Sequence, residues 1–295
     1  PKVIVSNAFT TYFRTNSIFW DPNIYGRYLA LVAVVAMSAL LWARDRKTLA
    51  LLTVLVAVLW FGLVPTFSQS SFAALMAGLA VLAALRWSVK WTAIAVAVAI
   101  ALLASTFDFG RLNIDTSGRA NLVSGGIHLF AQRPVYGYGS GSFPKAYRQH
   151  VETRKAPVSV SHTQPITVAA EQGLVGLVLY VALVVTALWV MAARAGGVGE
   201  GGSRTDRGPP AGPPSPATGP ARLPVARAAV LATFVALLVH TMAYAGFFED
   251  PITWVLFAVG ASLAAAYQAP PPLLSGGRAD DHRRSRVRPS ASGGG

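Results

Sequence analysis

Seven long apolar stretches constrain this chain more than any other feature of its sequence. A helix needs about 20 apolar residues to cross the hydrocarbon core of a bilayer, and the stretches approach that length. They are Tyr28–Ala43, Leu49–Val64, Ser71–Leu85, Trp91–Phe107, Ile166–Ala193, Val225–Phe247 and Ile252–Tyr267. The first is short and is expected to recruit residues from Asn23 onward. Charged residues are only 13% of the chain, against about 25% in soluble domains. The sequence therefore predicts an all-α polytopic membrane helical bundle, with about seven transmembrane helices and one large external loop.

The basic residues predict which way this bundle faces. Short cytoplasmic loops are enriched in Lys and Arg, and most of the 25 Lys and Arg residues fall on one side of the bundle, including all those in short loops between helices. That side is therefore expected to be cytoplasmic. The long loop then lies on the extracytoplasmic side of the cell membrane, and its excess of positive charge suits an anionic ligand at the membrane surface.

The same pattern divides the chain into six segments. Transmembrane helices 1 to 4 are predicted in 1–109, the external loop with the candidate catalytic residues in 110–165, transmembrane helix 5 in 166–193, a disordered cytoplasmic linker in 194–224, transmembrane helices 6 and 7 in 225–267, and a disordered basic cytoplasmic tail in 268–295. The linker is rich in Gly, Pro and Ser, and the tail carries basic residues that suit anionic membrane lipids. Because the chain starts at Pro1, we expect it to be an N-terminally truncated fragment.

Composition also excludes several kinds of site. The chain has no cysteine, so it has no thiolate metal site, iron–sulfur cluster or disulfide. It has no cluster of carboxylates either, and we predict no metal and no cofactor. A net charge of +13 would suit nucleic acid, but the basic residues follow membrane topology and no nucleic-acid-binding motif is present. No nucleic-acid partner is predicted.

His162 and Glu171 are the candidate catalytic residues. His162 lies in Ser161–Pro165, where the long loop meets the next helix, and an imidazole there can act as general base at neutral pH. The alternative is a loop histidine with local hydrogen bonds. Glu171 begins the next helix at membrane depth, where buried acids are usually functional. A cap that favours the helix dipole is an equally good interpretation of Glu171, and Gly173 and Gly176 favour close helix packing.

The candidate substrate-binding residues are basic, aromatic or glycine. Their positions are Arg27, Arg119, Arg133, Gly137, Tyr138 and Gly139. An Arg guanidinium suits phosphate oxygens, the glycines allow close backbone approach, and a tyrosine ring offers a face for a sugar. The alternatives are an interfacial position for Arg119, ordinary turn chemistry for the Gly/Tyr segment and snorkelling for Arg27. Glu249 and Asp250 are expected in a solvated loop.

Taken in order, these motifs resemble the O-antigen ligase and O-antigen polymerase family of bacterial polytopic envelope glycosyltransferases. The matching segments are Asp21–Asn23, Ser117–Arg119, Arg133–Phe143, Ser161–Pro165 and Ala170–Gly176. The resemblance covers roughly Ser17 to Tyr180, and the order and placement of the motifs around one external loop carry it. The chain departs from the family pattern at Ser68–Ser71, which supplies no arginine, and at Thr163, where the family often has asparagine.

The resemblance implies an enzyme that transfers a glycan from an undecaprenyl-diphosphate carrier to a glycan or lipid acceptor at the outer face of the cytoplasmic membrane. The reaction would be metal-independent and inverting. His162 would activate the acceptor or steady the departing group, and Arg119 would hold the carrier diphosphate. A second diphosphate-binding arginine is left open between Arg27 and Arg133.

Two other functions remain open on the sequence. A polymerase would join lipid-linked repeat units, and the sequence does not name the acceptor that separates it from a ligase. A non-enzymatic transporter or flippase of the lipid-linked glycan would place ionisable residues at the membrane midplane, where His240 is the only internal candidate. The candidate residues lie at the outer surface instead, which favours transfer over transport.

Overall fold

The computed structural model describes residues 4–6, 13–19, 21–105, 119–151, 161–192 and 222–266, and these are almost entirely helical. The α-helices in this part of the chain are α1 (Pro22–Trp42), α2 (Arg46–Leu63), α3 (Gln69–Arg86), α4 (Val89–Ser105), α5 (Arg119–Gln132), α6 (Phe143–His150), α7 (Gln164–Ala192), α8 (Arg222–Thr241) and α9 (Pro251–Ala266). One short antiparallel ribbon, β1 (Ile4–Ser6) and β2 (Phe13–Thr15), pairs Val5 with Arg14 and was not predicted.

Four of these helices are long and apolar enough to cross a membrane: α1, α3, α7, and α2 extended to Thr66 by a 3₁₀ turn. Apolar segments of α4, α8 and α9 are shorter. The chain is thus a multi-pass membrane protein with an all-α polytopic bundle, as predicted. The first helix does recruit residues before Tyr28, because it begins at Pro22. The predicted linker as far as residue 221, the whole predicted tail, and Ser117 and Gly118 of the external loop lie outside the described residues.

Short polar side chains fix where the helices begin. The first N–H groups of a helix have no partner within it, and Asp or Ser just before the helix can accept from them. Asp21 accepts from the Asn23 amide at 2.6 Å, Asp45 from the Thr48 amide at 2.8 Å. The hydrogen bonds from Thr48 hold the pKa of the exposed Asp45 carboxyl below its ordinary value. Asp45 thereby fixes the short turn between α1 and α2, and Asp21 fixes the start of α1.

The core lies where α1, α3 and α8 pack together. Gly78 on α3 permits the contact, since a Cβ there would lie 2.5 Å from a methyl of Val34 on α1 and 3.3 Å from the Ala232 carbonyl on α8. Large side chains in this core, such as Phe234 and Leu82, are fully buried. The tight packing brings the polar ends of these helices together at one side of the bundle.

Candidate functional site

Helix α7 is broken at Gly173, and the external loop fills the break. Gly173 has φ 66° and ψ −159°, which is not helical. The freed amides of Leu174 and Val175 donate to the carbonyls of Pro134 and Val135, at 2.7 and 3.4 Å. In a membrane helix, groups freed by a break need partners of this kind.

The loop also serves the other half of the broken helix. Amides of Tyr138 and Gly139 donate to the carbonyls of Ala170 and Glu171, at 3.1 and 2.7 Å. We call this set of four backbone hydrogen bonds, between residues 134–139 and residues 170–175, the clasp. It holds the external loop against α7 from both sides of the break.

Two glycines make the clasp possible. A Cβ on Gly137 would overlap the backbone of Glu171, and a Cβ on Gly173 would overlap the carbonyl of Val135. Both residues also have positive φ, which favours glycine. Gly173 therefore serves the approach of the loop backbone rather than the helix packing that we expected. Gly176, the other member of that pair, faces the side chain of Gln172 on its own helix.

Glu171 binds the loop with its side chain as well as its backbone. Its carboxylate accepts from the Gly141 amide at 2.9 Å and from the Phe143 amide at 3.0 Å. Phe143 is the first residue of α6, so the carboxylate lies at a helix N-terminus, where a negative charge is favoured. The predicted cap thus exists, but on α6 rather than at the start of the residue's own helix. These contacts are those of a positioning residue, and the catalytic role of Glu171 stays a prediction.

Arg133 and Tyr138 contact each other in the same loop. The guanidinium of Arg133 lies 4.7 Å from the Tyr138 ring centroid, and the His150 ring lies 5.1 Å from it. The Tyr138 hydroxyl donates to Gln132. Tyr138 is therefore packed by its neighbours, whereas Tyr136 beside it is 78% exposed. Arg133 is exposed, and Gly139 has open space around its Cα.

A second group of residues surrounds Tyr244, in the turn between α8 and α9. The Tyr244 ring lies 6.1 Å from the His162 ring and 5.8 Å from the His240 ring. The Arg27 guanidinium lies 5.9 Å from the same ring, and the Tyr244 hydroxyl donates to Asp21 at 3.2 Å. We call these five residues the Tyr244 cluster. Tyr244 thus contacts the loop histidine of the sequence analysis as well as Arg27 and the Asp21 cap.

His162 has an unusual backbone in this cluster. Its φ is 63°, a left-handed conformation that few residues other than glycine adopt and that is concentrated at functional sites. The residues beside it are held in place. Thr163 donates to the Met242 carbonyl at 3.0 Å, and Gln164 accepts from the Gly246 amide at 2.9 Å. His162 itself is half-buried, its Nδ1 is buried, and its backbone is held between fixed neighbours.

Arg27 is buried, which argues against the alternative of a snorkelling side chain. It pairs with Asp250 at 2.9 Å, with side-chain exposures of 8% and 5%. Asp250 also accepts from the Ile252 amide at 2.9 Å, so our placement of Asp250 in a solvated loop was wrong, while Glu249 is exposed. The reason is that a charge buried among helices needs a counter-charge. Among the described residues, Nη1 of Arg27 has no hydrogen-bond partner.

His240 ties the cluster to the start of α3. Its Nε2 lies 3.2 Å from the Ser70 hydroxyl, which lies 3.2 Å from the Ser68 hydroxyl. Ser68 donates to the Asn23 side chain at 2.9 Å. On the sequence, His240 is an internal candidate, and Ser68 to Ser71 differs from the family pattern by lacking an arginine. Three serines in four residues at a helix start were the available signal.

The structure thus brings some predicted residues together and separates others. His162 and Arg27 share the Tyr244 cluster, whereas Gly137, Tyr138, Gly139, Arg133 and Glu171 gather around the clasp. Glu171 lies seven positions after Gln164 on α7, which is about 10 Å along the helix. Arg119 begins α5. In the described ranges no three His, Asp or Glu side chains are grouped as a metal site would need.

Comparison with known families adds one match. A family model described as O-antigen ligase matches residues 54–181. This range contains His162, Arg119 and the whole clasp, while Arg27 and Tyr244 lie outside it. No curated protein matches the chain.

Proposed function

We propose that this chain, which over residues 54–181 belongs to the O-antigen ligase family, transfers a glycan from an undecaprenyl-diphosphate carrier to an acceptor. The family consists of membrane enzymes that ligate or polymerise glycans, which agrees with the polytopic bundle. The acceptor is a second glycan or a lipid. The reaction takes place at the extracytoplasmic side, where the positive-inside pattern puts the external loop.

His162 carries this proposal. It is the half-buried residue of the Tyr244 cluster with a left-handed backbone, and its ring lies 6.1 Å from the Tyr244 ring, which a buried arginine also contacts. In the proposed step, an acceptor hydroxyl oxygen attacks the anomeric carbon of the carrier-bound sugar and forms a new C–O bond. His162 takes the hydroxyl proton. The bond from the anomeric carbon to the diphosphate oxygen breaks, and its electron pair leaves with the diphosphate.

Arginines neutralise the diphosphate that leaves. Arg27 supports this role because its Nη1 has no partner among the described residues while Nη2 is held by Asp250. A guanidinium fixed at one nitrogen can present the other to an oxyanion without losing its orientation. Arg119 joins it by family resemblance, and the exposed Arg133 can attract the anionic headgroup from outside. Sugar-diphosphate bonds are already activated, so positioning and charge neutralisation suffice.

The test compares variants of the complete chain in purified nanodiscs with a radiolabelled undecaprenyl-diphosphate glycan and a panel of acceptors. We expect His162→Ala to lower transfer by about 10²-fold or more while binding of the carrier is retained. His128→Ala is the matched control, because His128 is an exposed histidine on α5 that lies outside the Tyr244 cluster. It should transfer at the wild-type rate.

Other outcomes would redirect the assignment. Unchanged transfer by His162→Ala would remove His162 from the chemical step and leave Glu171 as the remaining candidate. Absence of transfer by the wild type to every acceptor, together with movement of the carrier between leaflets, would favour a transporter. Transfer to a second carrier-linked repeat unit, rather than to a different lipid, would identify a polymerase.

A further inference from the structure

We infer that the tip of the external loop, Val135 and Tyr136, inserts into the outer membrane interface, so that the clasp anchors the loop to the lipid bilayer. The partner is the bilayer itself, at the level where acyl chains meet headgroups. This inference does not depend on the proposed reaction.

The tip is apolar and lies on the outside of the protein. Val135 is 52% exposed and Tyr136 78% exposed. Their backbones are nevertheless fixed, because the Val135 carbonyl accepts from Val175 in the clasp. Exposed apolar side chains on a rigid backbone cannot fold away from water, so their burial in the lipid bilayer is favourable.

The break in α7 shows how deep the tip lies. From Leu174 to Ala192 the helix has no charged residue and extends about 28 Å, close to the roughly 30 Å of hydrocarbon in a bilayer. Gly173 therefore marks the outer edge of the hydrocarbon. The clasp joins Pro134 and Val135 to the first two residues below that edge, so the tip lies at the same level.

The tip also continues a surface that faces lipid. Only 17% of the most apolar part of α7 is buried within the protein. Leu174, Val175 and Val178 are 53%, 47% and 55% exposed on this helix. Leu174 and Val175 are the residues whose amides the loop binds. The exposed side chains of the loop and of the helix therefore belong to one apolar zone.

The residue types fit this level of the bilayer. Tyrosine is enriched where the membrane meets water, because its ring is apolar and its hydroxyl is polar. Arg133, exposed and three residues before Tyr136, can reach lipid phosphates. A sugar stacked on Tyr136 is the competing use of the ring, and it would require the ring to face water.

The absence of cysteine from the chain permits a direct test. Single variants Tyr136→Cys, Val178→Cys and Ser140→Cys of the complete chain are labelled with a nitroxide in phospholipid nanodiscs without carrier. Accessibility to oxygen and to a water-soluble nickel chelate is then measured. Val178 is the lipid reference, and the exposed Ser140 is the water reference in the same loop.

We expect the nickel accessibility at position 136 to be several-fold lower than at position 140, with oxygen accessibility close to that at position 178. Equal nickel accessibility at positions 136 and 140 would overturn the inference. It would favour a Tyr136 ring that faces water and can stack on a sugar. Val135→Cys provides an independent second site, because only the backbone of Val135 takes part in the clasp. It should give the same result as position 136 if the tip is in lipid, and the result of position 140 if it is not.

Discussion

The clasp and the Tyr244 cluster both join segments from outside the membrane to membrane helices, but they satisfy their polar groups differently. In the clasp, backbone amides meet backbone carbonyls, and both carboxylate oxygens of Glu171 accept from amides. In the Tyr244 cluster, ionisable side chains surround a shared ring. Arg27 also pairs with Asp250 outside the cluster, and its Nη1 has no partner among the described residues.

We propose that this difference separates scaffold from site. A group of hydrogen bonds that uses its donors and acceptors internally has little left to offer a ligand, and its loss appears as lost stability. A cluster with a fixed, half-buried histidine and a partly engaged guanidinium can gain contacts when a ligand binds. On the sequence, residues of both groups are candidates for a single site. In the structure they lie in two separate groups.

Gly173→Ala should have the largest effect on the clasp. Its φ and ψ belong to a region used almost only by glycine, so strain of about 1–3 kcal/mol is expected. Its Cβ would also overlap the Val135 carbonyl. The hydrogen bonds that Leu174 and Val175 donate to the loop would then be lost, at about 1 kcal/mol each. Thermal unfolding in detergent, followed by tryptophan fluorescence, measures the loss.

Gly141→Ala is the matched control for this change. Gly141 also has positive φ, but a Cβ there would meet nothing within 4 Å. Gly141→Ala should lower the stability of the folded protein only by the backbone strain, about 1–2 kcal/mol. If both variants lost the same stability, close contact between the loop and α7 would not be what requires Gly173.

Glu171→Gln should have an intermediate effect, and it tests the catalytic role that the sequence suggested. A glutamine has one acceptor oxygen, so one of the amides of Gly141 and Phe143 loses its partner, at about 1–3 kcal/mol. Transfer per folded molecule should fall by less than the roughly 10²-fold expected for a general base. Stability and transfer are measured on the same preparation.

Glu249→Gln is the control for the loss of charge, because Glu249 is exposed. Exposed substitutions of this kind usually change stability by within about 0.5 kcal/mol. A Glu171→Gln protein that kept its full stability and lost transfer would instead place Glu171 in the chemical step. The clasp would then belong to the site and not to the scaffold.

Helix positions were predictable because the residues that determine them are close together in the sequence. Runs of apolar residues, caps such as Asp21 and the charges between runs are all visible within about 20 residues of sequence. Each predicted apolar stretch has a helix over most of its length, and α1 begins one residue before the predicted Asn23.

Contacts between helices and loops were not predictable, because the residues that form them lie far apart in the sequence. Asp250 was assigned to a solvated loop, and snorkelling was left open as an alternative for Arg27. Neither local context shows that the two side chains pair across the bundle. Gly173 and Gly176 match a helix-packing pattern, and only the approach of the loop reveals the break at Gly173. His162 was found from its motif, whereas the ring beside it, Tyr244, carried no signal.

Tyr244 should show the smallest effect on stability and decide how the Tyr244 cluster works. Tyr244→Phe removes the hydroxyl that donates to Asp21 at 3.2 Å and keeps the ring beside His162. Stability should fall by about 1 kcal/mol or less, and transfer should stay within a few-fold of wild type. Tyr244→Leu removes the ring contacts as well, and transfer should then fall about tenfold, as expected when a catalytic group loses its orientation.

The control is Tyr28→Phe, the same change at an exposed tyrosine of α1, which should leave both quantities unchanged. If Tyr244→Phe lost as much transfer as Tyr244→Leu, the hydroxyl and its bond to Asp21 would be the important contact. The cluster would then resemble the clasp, as a hydrogen-bonded assembly that orients its members. If only the leucine variant lost transfer, the ring would hold His162 by packing, and the polar groups around it would remain available to the substrate.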